Sequence, residues 1–251
     1  MISRLFSRRA PRGPKGSLPA GERIYAIGDI HGRLDLLDEL LASIRADNLA
    51  RGTNSGRIIF LGDLIDRGPQ SAHVVARALE IKSDLPDTQF LMGNHEEVFL
   101  KALHGDLKAL SFFARIGGRE TILSYGLSDE EYRDADYPEL LELLRARVPA
   151  EHIAFLESFE DLIVAGDYAF VHAGIRPGEP LALQKPGDLR WIRNEFLNHR
   201  AGFEKIIVHG HTITEEIDVQ ENRIGLDTGA YASGKLTAMG FEGTERWVLS
   251  T

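Results

Sequence analysis

Short runs of apolar residues recur along the chain, and each stops abruptly at polar residues that carry chemistry. Ile24-Tyr25-Ala26-Ile27 leads into Gly28-Asp29-Ile30-His31-Gly32, and Ile58-Ile59-Phe60-Leu61 into Gly62-Asp63-Leu64-Ile65-Asp66-Arg67-Gly68. Gln89-Phe90-Leu91-Met92 leads into Gly93-Asn94-His95-Glu96, Tyr168-Ala169-Phe170-Val171 into His172-Ala173-Gly174, and Lys205-Ile206-Ile207-Val208 into His209-Gly210-His211-Thr212. Short apolar runs bounded by turn residues read as buried strands. Between the first two, Leu34, Leu36, Leu37, Leu40, Leu41 and Ile44 recur at helical spacing and predict an amphipathic helix to about Asn48. A second helix is predicted from Ser71, near its N-cap, to about Lys82. Three strand-then-helix units imply crossover connections and a largely parallel layer, an α/β chain.

The pattern changes from Glu97 to Ser158. Helical stretches (Val98 to Leu103, Leu107 to Ala114, Pro138 to Arg147, Ala150 to Ser158) are broken by Gly117-Gly118 and by the acidic run Asp129 to Asp136. We read residues 97–160, approximately, as a helical cap inserted into one catalytic domain spanning 24–251, and expect substrate selection there. Near the end, Glu216 to Val219, Arg223 to Leu226, Lys235 to Phe241 and Arg246 to Leu249 read as short antiparallel strands.

Charge changes the picture at the N-terminus. Residues 1–23 carry Arg4, Arg8, Arg9, Arg12, Lys15 and Arg23 against Glu22 alone, are rich in Pro and Gly, and lack the apolar stretch of a secretory signal. They read as a disordered basic arm. The remaining 23 basic and 37 acidic residues leave a body near −14. Such a body is a poor nucleic-acid ligand, so no specific nucleic-acid partner is expected, and any anion must be met by a local positive site. No apolar run approaches the roughly 20 residues of a bilayer span. A cytoplasmic location is inferred from the missing signals alone.

The chain has no cysteine, so any metal must sit on His, Asp, Glu or Asn. Asp29, His31, Asp63, Asn94, His172 and His211 all stand at strand ends, where the carboxyl ends of sheet strands gather functional groups. Six such residues could surround two cations roughly 3.5–4 Å apart. Oxygen and imidazole donors suit Mn, Fe, Zn, Ni or Co without choosing among them. Any one of these residues alone reads as a turn or hydrogen-bonding residue; five strand ends together do not. His209, next to Gly210, reads as supporting or structural. His73, His104, His152 and His199 read as surface, and Asp227-Thr228-Gly229-Ala230 as structural.

Gly28-Asp-x-His-Gly32, Gly62-Asp-x-x-Asp-Arg-Gly68, Gly93-Asn-His-Glu96, His172-Ala-Gly174 and Gly210-His211, in that order, resemble the motifs of the phosphoprotein phosphatase family, most of all its bacterial and phage Ser/Thr protein phosphatases within the calcineurin-like metallophosphoesterase superfamily. The resemblance runs from about Ile24 to Leu249, more loosely over the insert. It implies two stacked mixed β-sheets flanked by helices, and two divalent ions, Mn²⁺ foremost. One ion would take Asp29, His31 and Asp63, the other Asp63, Asn94, His172 and His211. Where many relatives place a further His, this chain has Ile213.

The implied reaction is hydrolysis of phosphoserine or phosphothreonine, with phosphotyrosine as a further substrate, in a phosphoprotein or phosphopeptide by direct attack of a hydroxide held between the ions. His95 would act as general acid, Asp66 would orient it, and Arg67 with Arg193 (rather than Arg190) would clamp the phosphate beside Asn94. The alternative is a symmetrical diadenosine tetraphosphate hydrolase, which shares the opening motif but usually departs at the positions of Asp66 and Glu96. A catalytically dead scaffold is the remaining reading, and the intact ligand set argues against it.

Overall fold

The computed structural model describes residues 8–9, 15–52 and 56–251. Its strands are β1 (Arg8–Arg9), β2 (Arg23–Ile27), β3 (Gly56–Phe60), β4 (Gln89–Phe90), β5 (Ile163–Ala165), β6 (Tyr168–Phe170), β7 (Ile206–His209), β8 (Asp218–Val219), β9 (Arg223–Gly225), β10 (Thr237–Glu242) and β11 (Glu245–Ser250). They form two sheets, ordered β1-β11-β10-β2-β3-β4 and β5-β6-β7-β9-β8. Pairing is parallel across β2-β3-β4 and across β6-β7-β9, with antiparallel strands outside.

The period-2 alternation of each strand divides its side chains between two cores. Ile24 and Ala26 of β2, Ile59 of β3, and Met239 and Phe241 of β10 meet Tyr168, Phe170, Ile206, Val208 and Ile224 of the other sheet in one buried cluster. Tyr25, Ile27, Ile58 and Phe60 point the opposite way, onto helices α1 (Leu34–Ala50) and α2 (Ser71–Asp84). Ala169 and Ile207 face α9 (Pro186–Trp191) and α10 (Asn194–Leu197) through Leu189 and Phe196. The molecule is therefore helix, sheet, sheet, helix, the stacked arrangement the resemblance implies.

The insert is helical throughout: α3 (Asn94–Leu103), α4 (Leu107–Phe113), a π-helical turn over 114–118, α5 (Arg119–Ser124), α6 (Asp129–Asp134), α7 (Tyr137–Arg147) and α8 (Ala150–Glu157). The acidic run is no break. Ser128 caps α6, accepting from Glu131 N at 3.1 Å while Glu131 reaches back to Ser128 N. Three acids in the first turn favour that helix end electrostatically. His152, expected at the surface, is buried within the insert with Tyr125 Oη 3.1 Å from its Nδ1.

The C-terminal strands pair antiparallel as expected, β8 with β9 and β10 with β11, and they divide between the sheets: β8 and β9 join the second, while β10 lies between β2 and β11 in the first. The expectation for the N-terminal arm changes. Residues 1–7 and 10–14 of the expected arm lie outside the described residues. Of the rest, Arg8 and Arg9 pair with Val248 and Trp247, Leu18 is buried, and its N–H donates to Gly243 O at 2.9 Å. Isolated residues such as Leu18 leave no periodic trace in the sequence.

Candidate metal centre

Five of the predicted strands deliver their ends to one place. β2, β3 and β4 run parallel in one sheet, β6 and β7 in the other, and the loops following them interlock. His31 N donates to Asp63 O at 2.9 Å, Gly210 N to His172 O at 2.8 Å, and His211 N to Asp29 Oδ2 at 2.9 Å. Among the described residues, the non-glycine residues with left-handed backbone are His31 (φ 48°), Asp63 (51°), Asp66 (74°), Arg67 (67°) and His211 (65°). All five belong to this site. Such conformations cost about 1–3 kcal/mol each and persist only where surrounding structure imposes them. Glu96, a motif residue with no role assigned from the sequence, holds the Asp63 loop. Its Oε2 accepts from Asp63 N (2.9 Å) and Gly93 N (3.1 Å), and its Oε1 from Leu64 N (2.8 Å).

Asp63 lies at the centre, 2% exposed, with its two oxygens facing different groups. Oδ2 is 3.6 Å from His31 Nε2 and 3.8 Å from His95 Nε2; Oδ1 is 3.4 Å from His172 Nε2. His31, Asp63 and His95 form one buried donor cluster within 4.8 Å, and Asp63, His172 and His211 a second. Asn94 Oδ1 sits 3.0 Å from His172 Nε2. Asp29 is buried beside these clusters rather than within either, and His95 stands where Asp29 was expected.

The donor chemistry fits divalent cations. His31 Nδ1 faces Ile65 O and His172 Nδ1 faces Leu61 O, each at 2.7 Å, so both rings turn Nε2 toward Asp63. A histidine whose far nitrogen is fixed by a carbonyl is the usual arrangement of a metal ligand. Burial lowers His31 to about 3 and His211 to about 2, which keeps both imidazoles neutral. His211 Nε2 and Asp29 Oδ1 are buried and have no hydrogen-bond partner. Burial also acts on Asp63, but the surrounding histidines outweigh it and hold the carboxylate well below its usual range.

His95 and Asp66 form the other half of the site. His95 Nδ1 is 2.5 Å from Asp66 Oδ2, and Thr121 Oγ1 donates to Asp66 Oδ1 at 2.6 Å. Burial opposes charge on His95, yet the carboxylates of Asp63 and Asp66 prevail and raise its pKa. Asp66 is raised by its own burial, which outweighs the hydrogen bonds it accepts. Arg67 spans the two halves, its terminal nitrogens 2.9 Å from His31 Nε2 and 3.1 Å from His95 Nε2, with its guanidinium 5.0 Å from the ring of Tyr231.

Of the two candidate clamps, Arg190 is committed elsewhere, bonded to Asp161 through both Nε (2.6 Å) and a terminal nitrogen (2.9 Å). Arg193 is exposed and close enough to His211 to depress its protonation. Thr121 and Tyr231 lie in no strand-end motif, and Gly117 shows in the sequence only as a break between helices.

The sequence profile described as calcineurin-like phosphoesterase matches residues 22–237. The bis(5'-nucleosyl)-tetraphosphatase PrpE [asymmetrical] of Oceanobacillus iheyensis is 30% identical over 234 residues, covering 87% of this chain and 88% of its own. Serine/threonine-protein phosphatase rdgC of Drosophila melanogaster is 30% identical over 185 residues, covering 70% of this chain but 26% of that protein. A crystal structure provisionally named a diadenosine tetraphosphatase superposes with a TM-score of 0.62 at 22% identity, over 91% of this chain and 92% of that one, and so shares the fold. The profile match extends from β2 into β10 and takes in every strand-end motif, and on it the chain belongs to the calcineurin-like phosphoesterase family.

Proposed function

We propose that the chain hydrolyses dinucleoside tetraphosphates, cutting them into unequal halves. The observation that carries this reading is the 30% identity maintained over 87% of this chain and 88% of a relative named for that activity and that asymmetry. The symmetrical alternative weighed from the motifs has shorter support: the matching enzyme of Dechloromonas aromatica is 34% identical over 61% of this chain and 44% of its own.

Asp29, His31 and Asp63 would hold one divalent cation, and Asp63, Asn94, His172 and His211 a second. When bound, two such ions offset phosphate charge and acidify water enough for it to attack phosphorus near neutral pH. The protein's own groups do the rest. Arg67 and Arg193 present planar forks to the non-bridging oxygens of a phosphate, a local positive site on a body that is otherwise strongly acidic. As the Arg67 fork turns to phosphate, His95 Nε2 is freed toward the leaving oxygen, available as an acid where the leaving group needs a proton, while Asp66 holds Nδ1–H and Thr121 holds Asp66.

That acid gives a second reading its footing. A nucleotide phosphate, with a second pKa of about 6, leaves readily without a proton, whereas a serine alkoxide needs one. The 2.5 Å His95–Asp66 pair therefore favours a phosphoprotein phosphatase. Metal-stripped chain reconstituted with Mn²⁺ should be assayed on diadenosine tetraphosphate and on phosphoserine peptides, with His95→Asn alongside. Faster dinucleotide cleavage to AMP and ATP, with His95→Asn costing little, is expected. Equal ADP products remove the asymmetry, and faster peptide turnover with at least a 100-fold loss in His95→Asn replaces the first reading by the second.

A further inference from the structure

We propose that Asp227 is a further metal-binding carboxylate, serving the cation that Asp29 would hold. The inference rests on the metal-site reading above and concerns a residue that the strand-end motifs leave out.

β9 ends at Gly225, and Leu226-Asp227 then runs against the loop carrying Asp29. A Cβ placed on Gly28 would lie 2.5 Å from Leu226 O and 3.4 Å from Asp227 N, so the two segments touch through their main chains. Asp227 is 1% exposed and Asp29 2%. Asp227 Oδ1 accepts from Gly229 N at 2.9 Å, and Asp29 Oδ2 accepts from His211 N at 2.9 Å. The other oxygen of each, Asp227 Oδ2 and Asp29 Oδ1, is buried with no hydrogen-bond partner.

Two adjacent buried carboxylates, each with an orphan oxygen, are an unfavourable arrangement for a polypeptide on its own. Burial raises Asp29, and among neighbouring charges Asp227 raises it more than Asp63 does; Arg67 opposes this for both acids without pairing with either. A cation is the counter-charge that uses both oxygens. It also answers a shortage, since Asp29, His31 and Asp63 alone would leave that ion with three protein ligands.

Asp227→Asn is the informative change, because its amide oxygen can still accept from Gly229 N and keep the turn. Full-length wild type and variant, stripped with chelator, are titrated with Mn²⁺ while free ion is followed by electron paramagnetic resonance, and both metal-free forms are melted. Wild type should bind two ions. The variant should bind one as before and the other at least tenfold more weakly. Its metal-free melting temperature should be no lower than wild type's, because one member of a repelling pair is gone, while its gain on adding Mn²⁺ shrinks. Two ions bound as tightly as in wild type overturn the proposal. So does a lower metal-free melting temperature with an unchanged gain, which marks Asp227 as a turn support only. Asp227→Ser, whose hydroxyl also caps such a turn, carries the same comparison if the Asn variant does not fold. Wild type binding no Mn²⁺ would sink the underlying metal-site reading instead.

Discussion

The N–H of Arg67 donates to the carbonyl of Gly117 at 2.9 Å, which ties the helical insert to the arginine of the central motif through main chain alone. Gly117 has φ 117°, and a Cβ there would lie 2.7 Å from Arg67 Cγ. Gly117→Ala therefore meets two penalties, a left-handed backbone costing about 1–2 kcal/mol and a collision that pushes Arg67 aside. Misplacement of a clamp by about 1 Å can cost on the order of 100-fold. We expect kcat/KM to fall by about that factor while the melting temperature drops only a few degrees. Wild-type turnover in this variant would detach the insert from Arg67's placement.

The same contact shows what the sequence could reveal. Each metal-type motif is contiguous and follows its own apolar strand, so local pattern located Asp29, His31, Asp63, Asn94, His172 and His211. Thr121 and Gly117 reach the site from 50 or more residues away along the chain, on an insert whose period reports only helix. Glu96 was visible as part of a motif, but its role depends on loop amides that only the folded backbone brings to its carboxylate. The C-terminal strands carry equivalent alternation, and partner choice between sheets depends on which core they fill. Buried Leu18 and Arg23 look like tail residues in the sequence because isolated positions have no period.

Thr121→Val should separate orientation from binding. Valine keeps the shape but removes the donor to Asp66 Oδ1 and the acceptor for Asp66 N at 2.9 Å. Asp66 N keeps Ser71 Oγ at 3.0 Å, but Asp66 Oδ1 is left unsatisfied, which costs about 1–3 kcal/mol. In steady-state kinetics on a phosphomonoester, kcat should fall about tenfold with KM little changed, and Thr121→Ser should restore it. An equal loss in the serine variant would mean that the methyl packing matters and the hydrogen bond does not.

Arg23 carries an expectation about stability alone. Its guanidinium is buried and bonds Glu242 Oε2 (2.9 Å), Asn48 Oδ1 (2.8 Å) and Arg51 O (3.2 Å), fastening the end of α1 to β10. Removing one partner from a buried, charged network typically costs about 3–5 kcal/mol. Arg23→Met should lower unfolding free energy by about that amount in urea titration. A change below 1 kcal/mol would show the network to be dispensable.

His209 predicts acid sensitivity whose sign follows from its burial. The ring is 1% exposed, its Nδ1 sits 3.0 Å from Gly210 O, and its Nε2 has no hydrogen-bond partner. Burial lowers its pKa to about 4, against about 6.5 in an unfolded chain. Between those values the unfolded state binds the extra proton, so unfolding free energy declines as pH falls below about 6.5 and the decline ends near 4. At about 1.4 kcal/mol per unit, this one residue accounts for a loss of about 3 kcal/mol. His31 and His211 are lowered too and steepen the same limb, so the residue's own share must be read as a difference. Metal-free wild type and His209→Gln are unfolded with urea at pH 7 and pH 5. The glutamine variant should lose about 2 kcal/mol less than wild type over that interval, because it has no proton to gain. Parallel declines in the two proteins would mean that His209 is charged, or solvated, in the folded state.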